Sequence, residues 1–273
     1  MKMIFYTPMH WSADGFGGAS FGFAGAEDET ALNKVVCPFE IEGVMLTGTY
    51  DECLKNIPDE KWQTGIVLLG NAGRSRTIDC NLGNGYVGEI SHKLKLAGEN
   101  HNIKNRGIAG NRIIDIYARW IEDTLSLDYD ILSILCGIND VGFQLRAGIG
   151  VDNEKYEYIY DRMIYEATKK NSNTKVVLMT PFVLKADLAE KDLSFANDIY
   201  EDFEVWEKAV DEKAEIVRRL SDKYKTHLVD LNKRFKLIDG DLHLYSTDGV
   251  HPTVKGHKLI AEEWLKVCND ILK

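Results

Sequence analysis

A chain of 273 residues with 44% hydrophobic and 10% aromatic content suits one large domain, or a domain with an appendage, and it can bury a real core. Asp and Glu outnumber Lys and Arg by 43 to 33, for a net charge of -10, and no basic stripe runs along the chain, which excludes the electrostatic footprint of a nucleic-acid binder. The five cysteines, at 37, 53, 80, 136 and 268, are scattered and form no C-x-x-C pair, so neither a zinc site nor a disulfide framework is expected.

The opening run Met1 to Pro8 is too short for a signal peptide, and no stretch of about 18 apolar residues follows. No membrane insertion is expected, and the cytoplasm is the expected compartment. Residues 1–63 then differ in character from the rest. Trp11 to Gly25 is rich in glycine and aromatics, and Val35 to Gly48 alternates through Phe39, Ile41, Val44 and Leu46, as one or two strands do. This region is expected to be a β-rich extension of unassigned role, with 64–273 as the main domain. Within it, Gly18-Ala19-Ser20-Phe21-Gly22 fits G-x-S-x-G but lacks the preceding apolar strand that a nucleophile elbow needs.

From Gly65 the pattern becomes regular. Ile66 to Leu69 reads as a buried strand ending at Gly70, followed by a helix over Tyr86 to Leu96 and a weaker strand from Ile103 to Gly107. Apolar residues at helical spacing cover Ile113 to Leu127, and Ile131 to Cys136 is a clear strand closed by Gly137. A helix from Tyr156 to Lys170, a strand over Val176 to Met179, a long charged helix from Asp198 to Tyr224, a strand at His227 to Asp230 and a last helix from Val254 to Leu272 complete the order. Strands this apolar, alternating with helices, predict a parallel sheet covered on both faces.

In such a sheet ligands bind beyond the carboxyl ends of the strands. The polar clusters Gly70-Asn71-Ala72-Gly73, Gly107 to Arg112, Gly137-Ile138-Asn139-Asp140 and Asp248 to His251 all follow strands in that sense. Asp248-Gly249-Val250-His251 makes a tight turn in which a carboxylate can orient an imidazole as a general base. Glycine amides and the Asn139 side chain are donors suited to an oxyanion. Each has a plainer role open to it as well: turn glycines at 107 and 137, a helix cap at Asn139 or Asp140.

Taken together, these blocks resemble the SGNH (GDSL-type) hydrolase family over about three-quarters of the chain, from Gly65 onward. The resemblance implies a three-layer, flavodoxin-like fold and hydrolysis of a small acyl ester without metal or other cofactor, with the acyl part on a carbohydrate or a lipid. It implies His251 as base, Asp248 as its orienting carboxylate, and Gly107 N–H with the Asn139 amide as oxyanion donors. It departs at the first block. The family's strand leads into G-D-S, whereas this chain reads Gly70-Asn71-Ala72, so Ala72 stands where the nucleophilic serine belongs. Ser75 is the favoured substitute nucleophile, with Ser12, Ser20 and Cys136 behind it. Impaired turnover is expected. A non-catalytic ligand binder is the alternative, and a nucleotide-binding flavodoxin-like protein a third that would leave Asp248 and His251 unexplained. Homo-oligomerisation stays open.

Overall fold

A computed structural model describes residues 1–6, 39–41, 44–46, 85–99, 101–108, 110–185, 199, 201–246 and 248–272. The chain opens with β1 (Lys2–Tyr6), and β2 (Phe39–Ile41) and β3 (Val44–Leu46) form a two-stranded antiparallel sheet, as the alternation there predicts. Then come α1 (Tyr86–Leu96), β4 (Asn102–Asn105), α2 (Ile113–Ala118), a π-helical turn at Ile121–Leu125, β5 (Ile131–Leu135) and α3 (Ile138–Ala147). The chain continues through α4 (Asn153–Lys170), β6 (Lys175–Met179), α5 (Phe203–Tyr224), β7 (His227–Val229), α6 (Leu231–Lys236) and α7 (Val254–Cys268).

The main sheet is parallel throughout, in the order β4-β1-β5-β6-β7. Its inner strands β1, β5 and β6 are buried nearly end to end because helices cover both faces. Alternate side chains serve the two layers. Met3, Phe5, Ile131, Leu135, Val177 and Met179 pack with α1, α6 and α7. Ile4, Tyr6, Leu132, Ile134, Val176 and Leu178 pack with α2, α4 and α5. Even the polar Ser133 is satisfied, its hydroxyl accepting Trp264 Nε1–H from α7 at 3.0 Å. The three-layer α/β fold expected above is present. Taken along the chain, the five strands stand second-first-third-fourth-fifth, the doubly wound arrangement whose crevice opens between the first and third.

Two expectations need correcting. The sequence places the first sheet strand at Ile66–Leu69 and assigns residues 1–63 to an extension. The central slot is instead held by Lys2–Tyr6, bonded to β4 on one side and β5 on the other. Met3-Ile4-Phe5-Tyr6 is an apolar run of strand length, and only its pairing distinguishes it from an unstructured terminus. Ile66–Leu69 and the proposed boundary at 63 lie outside the described residues. The single helix expected over Ile113–Leu127 is in fact α2 followed by the π-helical turn, in which Ser126 N–H reaches Ile121 O at 2.8 Å. The short helices α3 and α6 have no counterpart in the sequence reading, since their polar, glycine-flanked stretches resemble loops.

Candidate active site

The Asp248–His251 turn is held from several directions. Gly249 adopts φ 89°, and a Cβ there would lie 2.4 Å from Leu184 O, so the turn can dock on the segment after β6 only with glycine at this position. Gly249 O in turn accepts Leu184 N–H at 2.8 Å. Downstream, Thr253 caps α7 by accepting Gly256 N–H, and its hydroxyl donates to Leu244 O at 2.6 Å. The turn therefore sits on a helix start rather than on a loose loop.

Asp248 is buried, and its Oδ1 accepts the backbone N–H of Val250 at 3.0 Å and of His251 at 2.8 Å, with the Ser246 hydroxyl at 3.3 Å. Its Oδ2 pairs with His251 Nδ1. Burial works to raise the Asp248 pKa, but the His251 ring and the backbone donors outweigh it and hold the carboxyl below the usual carboxylate range. An ionised carboxylate only accepts, so Nδ1 carries the proton and the lone pair lies on Nε2. That is the tautomer a general base needs.

Asn139, the second residue of α3, enters the same place from β5. Gly137 starts that helix at φ 130°, where a Cβ would meet Pro181 Cγ at 2.9 Å and Tyr156 Oη at 3.0 Å. Asn139 Nδ2 donates to Asn111 O at 3.1 Å. A small cleft is lined by Ile138, Asn139, Gly142, Phe143, Trp206, Val250 and His251, so amide donor and imidazole share one mostly apolar space. Gly142 is what lets the Trp206 ring in, since a Cβ at 142 would lie 3.2 Å from it.

Asp140 points the other way, into the protein. Both its oxygens face Ile113 N–H, at 3.1 and 3.2 Å, and the Cys136 thiol donates to Oδ2 at 3.6 Å. Burial pushes its pKa up to about 7, against the lowering effect of Ile113 N–H and of Lys213. Cys136 is itself buried, and burial lifts its thiol well above the usual range, which removes it as a nucleophile. Gly107 lies just past β4, its N–H donated to Asn105 Oδ1 at 3.0 Å, and it is not one of the residues lining the cleft.

The described residues thus bring Asp248, His251 and Asn139 together. Ala72, Ser75, Ser12 and Ser20 lie outside the described residues. Sequence reasoning missed Trp206 and Phe143 as walls, and missed Asn111 and Arg119 behind Asn139. Arg119 left a trace: at helical spacing it falls on the same face as Ile116 and Asp123, a cation beside an apolar stripe. Among the described residues no three His, Cys, Asp or Glu side chains are grouped to hold a metal ion, and no helix is long and apolar enough to cross a membrane.

Comparison with known proteins gives the family and the fold. A model of the GDSL-like lipase/acylhydrolase family matches residues 72–259. An acetylxylan esterase of Geobacillus stearothermophilus is 30% identical over 196 residues, which is 68% of this chain and 81% of that protein. Among solved structures, a candidate GDSL-like lipase from Parabacteroides merdae is 32% identical with a TM-score of 0.58, covering 69% of this chain and 83% of its own. The acetylxylan esterase Axe2 of Geobacillus stearothermophilus is 25% identical with a TM-score of 0.57, covering 68% and 82%.

Proposed function

The chain belongs to the GDSL-like lipase/acylhydrolase family and is an ester hydrolase by that membership, and on this premise we propose that it acts on small acyl esters, acetylated carbohydrate first and lipid second. His251 takes a proton from a serine hydroxyl, Ser75 being the favoured candidate in this chain, and the resulting oxygen forms a bond to the ester carbonyl carbon. The Asn139 amide receives the charge on the carbonyl oxygen, and Gly107 N–H joins it by turning from its resting partner Asn105 Oδ1. Collapse expels the alcohol, which takes the proton back from His251, and water repeats the cycle on the acyl-enzyme to release the acid. The observation that carries this reading is the buried Asp248–His251 pair opening on the same cleft as Asn139. The small apolar space between Trp206 and Val250 favours an acyl group of acetyl size. The cytoplasm is the proposed compartment, on the strength of the buried free thiols of Cys136 and Cys268.

Turnover is proposed to be low. By order of the sequence blocks Ala72 stands at the family's serine position, although Lys2–Tyr6 fills the central strand slot, and an alanine has no lone pair to attack with. A catalytic mutant of Axe2 carries alanine in place of serine. The same residue favours the second reading, a binder that keeps the pocket without the chemistry. The test is hydrolysis of an aryl acetate by the chain and by His251→Ala, alongside calorimetry with acetylated xylo-oligosaccharides. Slow hydrolysis that disappears with His251→Ala fits the proposal, and saturable binding with no turnover selects the binder. Brisk turnover lost with His251→Ala overturns the low-activity reading and sends the search to Ser75 first. Turnover indifferent to His251→Ala sinks the base assignment.

A further inference from the structure

We propose that Arg119 is a positioning residue that aims both oxyanion donors from one buried guanidinium. This rests on the reading of Gly107 N–H and the Asn139 amide as those donors. Arg119 closes α2, with its side chain 8% exposed. Its Nη1 donates to Arg106 O at 2.8 Å and also to Asp123 Oδ2. Its Nη2 donates to Asn111 Oδ1 at 2.7 Å, with Nε at 3.3 Å from the same oxygen. The guanidinium lies over the Tyr6 ring, 5.4 Å from its centroid, and Tyr6 is the last residue of β1.

Two of these contacts act on the site. Arg106 O and Gly107 N–H belong to one peptide group, and in a trans peptide they point to opposite sides of a single plane. Holding the carbonyl therefore fixes the line of the amide, whose hydrogen at rest is donated to Asn105 Oδ1 at 3.0 Å and is within a small turn of the site. Arg106 N–H is tied in addition to Phe5 O at 2.8 Å. The second contact grips the Asn111 side chain, and the backbone oxygen of that same residue receives Asn139 Nδ2 at 3.1 Å. Gly107 follows β4 and Asn139 follows β5, on either side of β1, yet both are referred to the same cation. Arginine suits the task because its planar fork meets three acceptors at set angles. An ammonium is a single point that cannot hold the same three. Asp123, 6% exposed, balances the buried charge.

A merely structural role for Arg119 would loosen α2 and the turn after it as a whole. A positioning role changes the two donors selectively. Arg119→Lys and Arg119→Met, made in the full chain, are read first by nuclear magnetic resonance: the Gly107 amide signal and the Asn139 side-chain amide signals. The expectation for Arg119→Lys is that both move and exchange with solvent roughly tenfold faster, while the amides of Ile131–Leu135 keep their protection. In aryl acetate hydrolysis kcat falls about 10- to 100-fold with KM changed less than about twofold, the split expected when transition-state contacts are lost. Unmoved Gly107 and Asn139 signals overturn the proposal, and so does a uniform loss of protection that includes β5. A wild-type chain with no turnover counts against the esterase reading alone, because the resonance arm still decides the role of Arg119.

Discussion

Asp248→Ala and Asp248→Asn separate the two tasks of one buried carboxylate. Its Oδ1 serves Val250 N–H at 3.0 Å and His251 N–H at 2.8 Å, and its Oδ2 serves the His251 ring. Alanine leaves two backbone donors buried without an acceptor. Each such orphan costs about 1–3 kcal/mol, so the variant loses about 2–6 kcal/mol, the lower half of that range if water enters the vacated space. That is a large part of the 5–15 kcal/mol, roughly, that holds a domain folded. Asparagine keeps an oxygen at the Oδ1 position and costs about 1 kcal/mol, the share owed to charge. Its amide hydrogens, however, face His251 Nδ1. The ring must then accept at Nδ1 and carry its proton on Nε2, where it cannot act as base. Such a tautomer reversal lowers turnover by about 10⁴-fold in a serine-protease triad, and a comparable loss is expected of whatever turnover this chain has.

Urea denaturation at neutral pH reads the stability arm, with the slope compared to confirm that the unfolding transition is the same. Long-range nitrogen–proton correlation on the imidazole reads the tautomer. The acid limb has a definite sign. The folded pKa of Asp248 lies below its unfolded value near 3.8, so its contribution is present above that value and disappears as pH falls through the folded one. The gap between wild type and Asp248→Ala should therefore hold from pH 7 to about 5 and narrow below about 4 by the share owed to charge, about 1 kcal/mol, since a protonated carboxyl still accepts hydrogen bonds. An alanine variant within about 0.5 kcal/mol of wild type, or an asparagine variant as unstable as alanine, would refute the reasoning.

Asp140 carries the opposite linkage. Its folded pKa, about 7, lies above the ordinary 3.8, so the protein loses stability as pH rises between those values. Asp140→Asn removes that titration, and its stability relative to wild type should improve between about pH 4.5 and 8 by about 3 kcal/mol; a difference independent of pH counts against it. Gly249→Ala meets both a positive φ and the Leu184 carbonyl and should cost about 3 kcal/mol in thermal or urea unfolding. Gly98→Ala, at φ 81° with nothing within 4 Å, is its control at about 1 kcal/mol. Equal costs for the two would mean that the Leu184 contact does not constrain the Asp248–His251 turn.

How far the sequence reaches depends on the range of the interaction involved. Asp248 and His251 are three residues apart, and their bonds close within one turn, so spacing offers the pair and the blocks around Gly107 and Asn139 single it out from a solvated loop. Asn139 is nearly as legible, because Gly137 breaks β5 and starts α3 one residue before it. Local pattern misleads where two candidates share it. Met3-Ile4-Phe5-Tyr6 and Ile66-Val67-Leu68-Leu69 are both apolar runs of strand length, and periodicity cannot say which fills the slot between β4 and β5.

By itself, then, the sequence determines the alternation of parallel strands and helices, the glycine at 249, and the pairing of His251 with Asp248, since each is written within a few residues. The tertiary structure decides what depends on partners far along the chain. Lys2–Tyr6 becomes the central strand by bonding to Asn102–Asn105 and Ile131–Leu135. Trp206 becomes a wall of the cleft because Gly142 on another helix leaves it room. Arg119 becomes the common anchor of two loops because α2 lays its side chain across the ends of β1 and β4. Such roles arise from packing between elements distant in sequence, which no local spacing records.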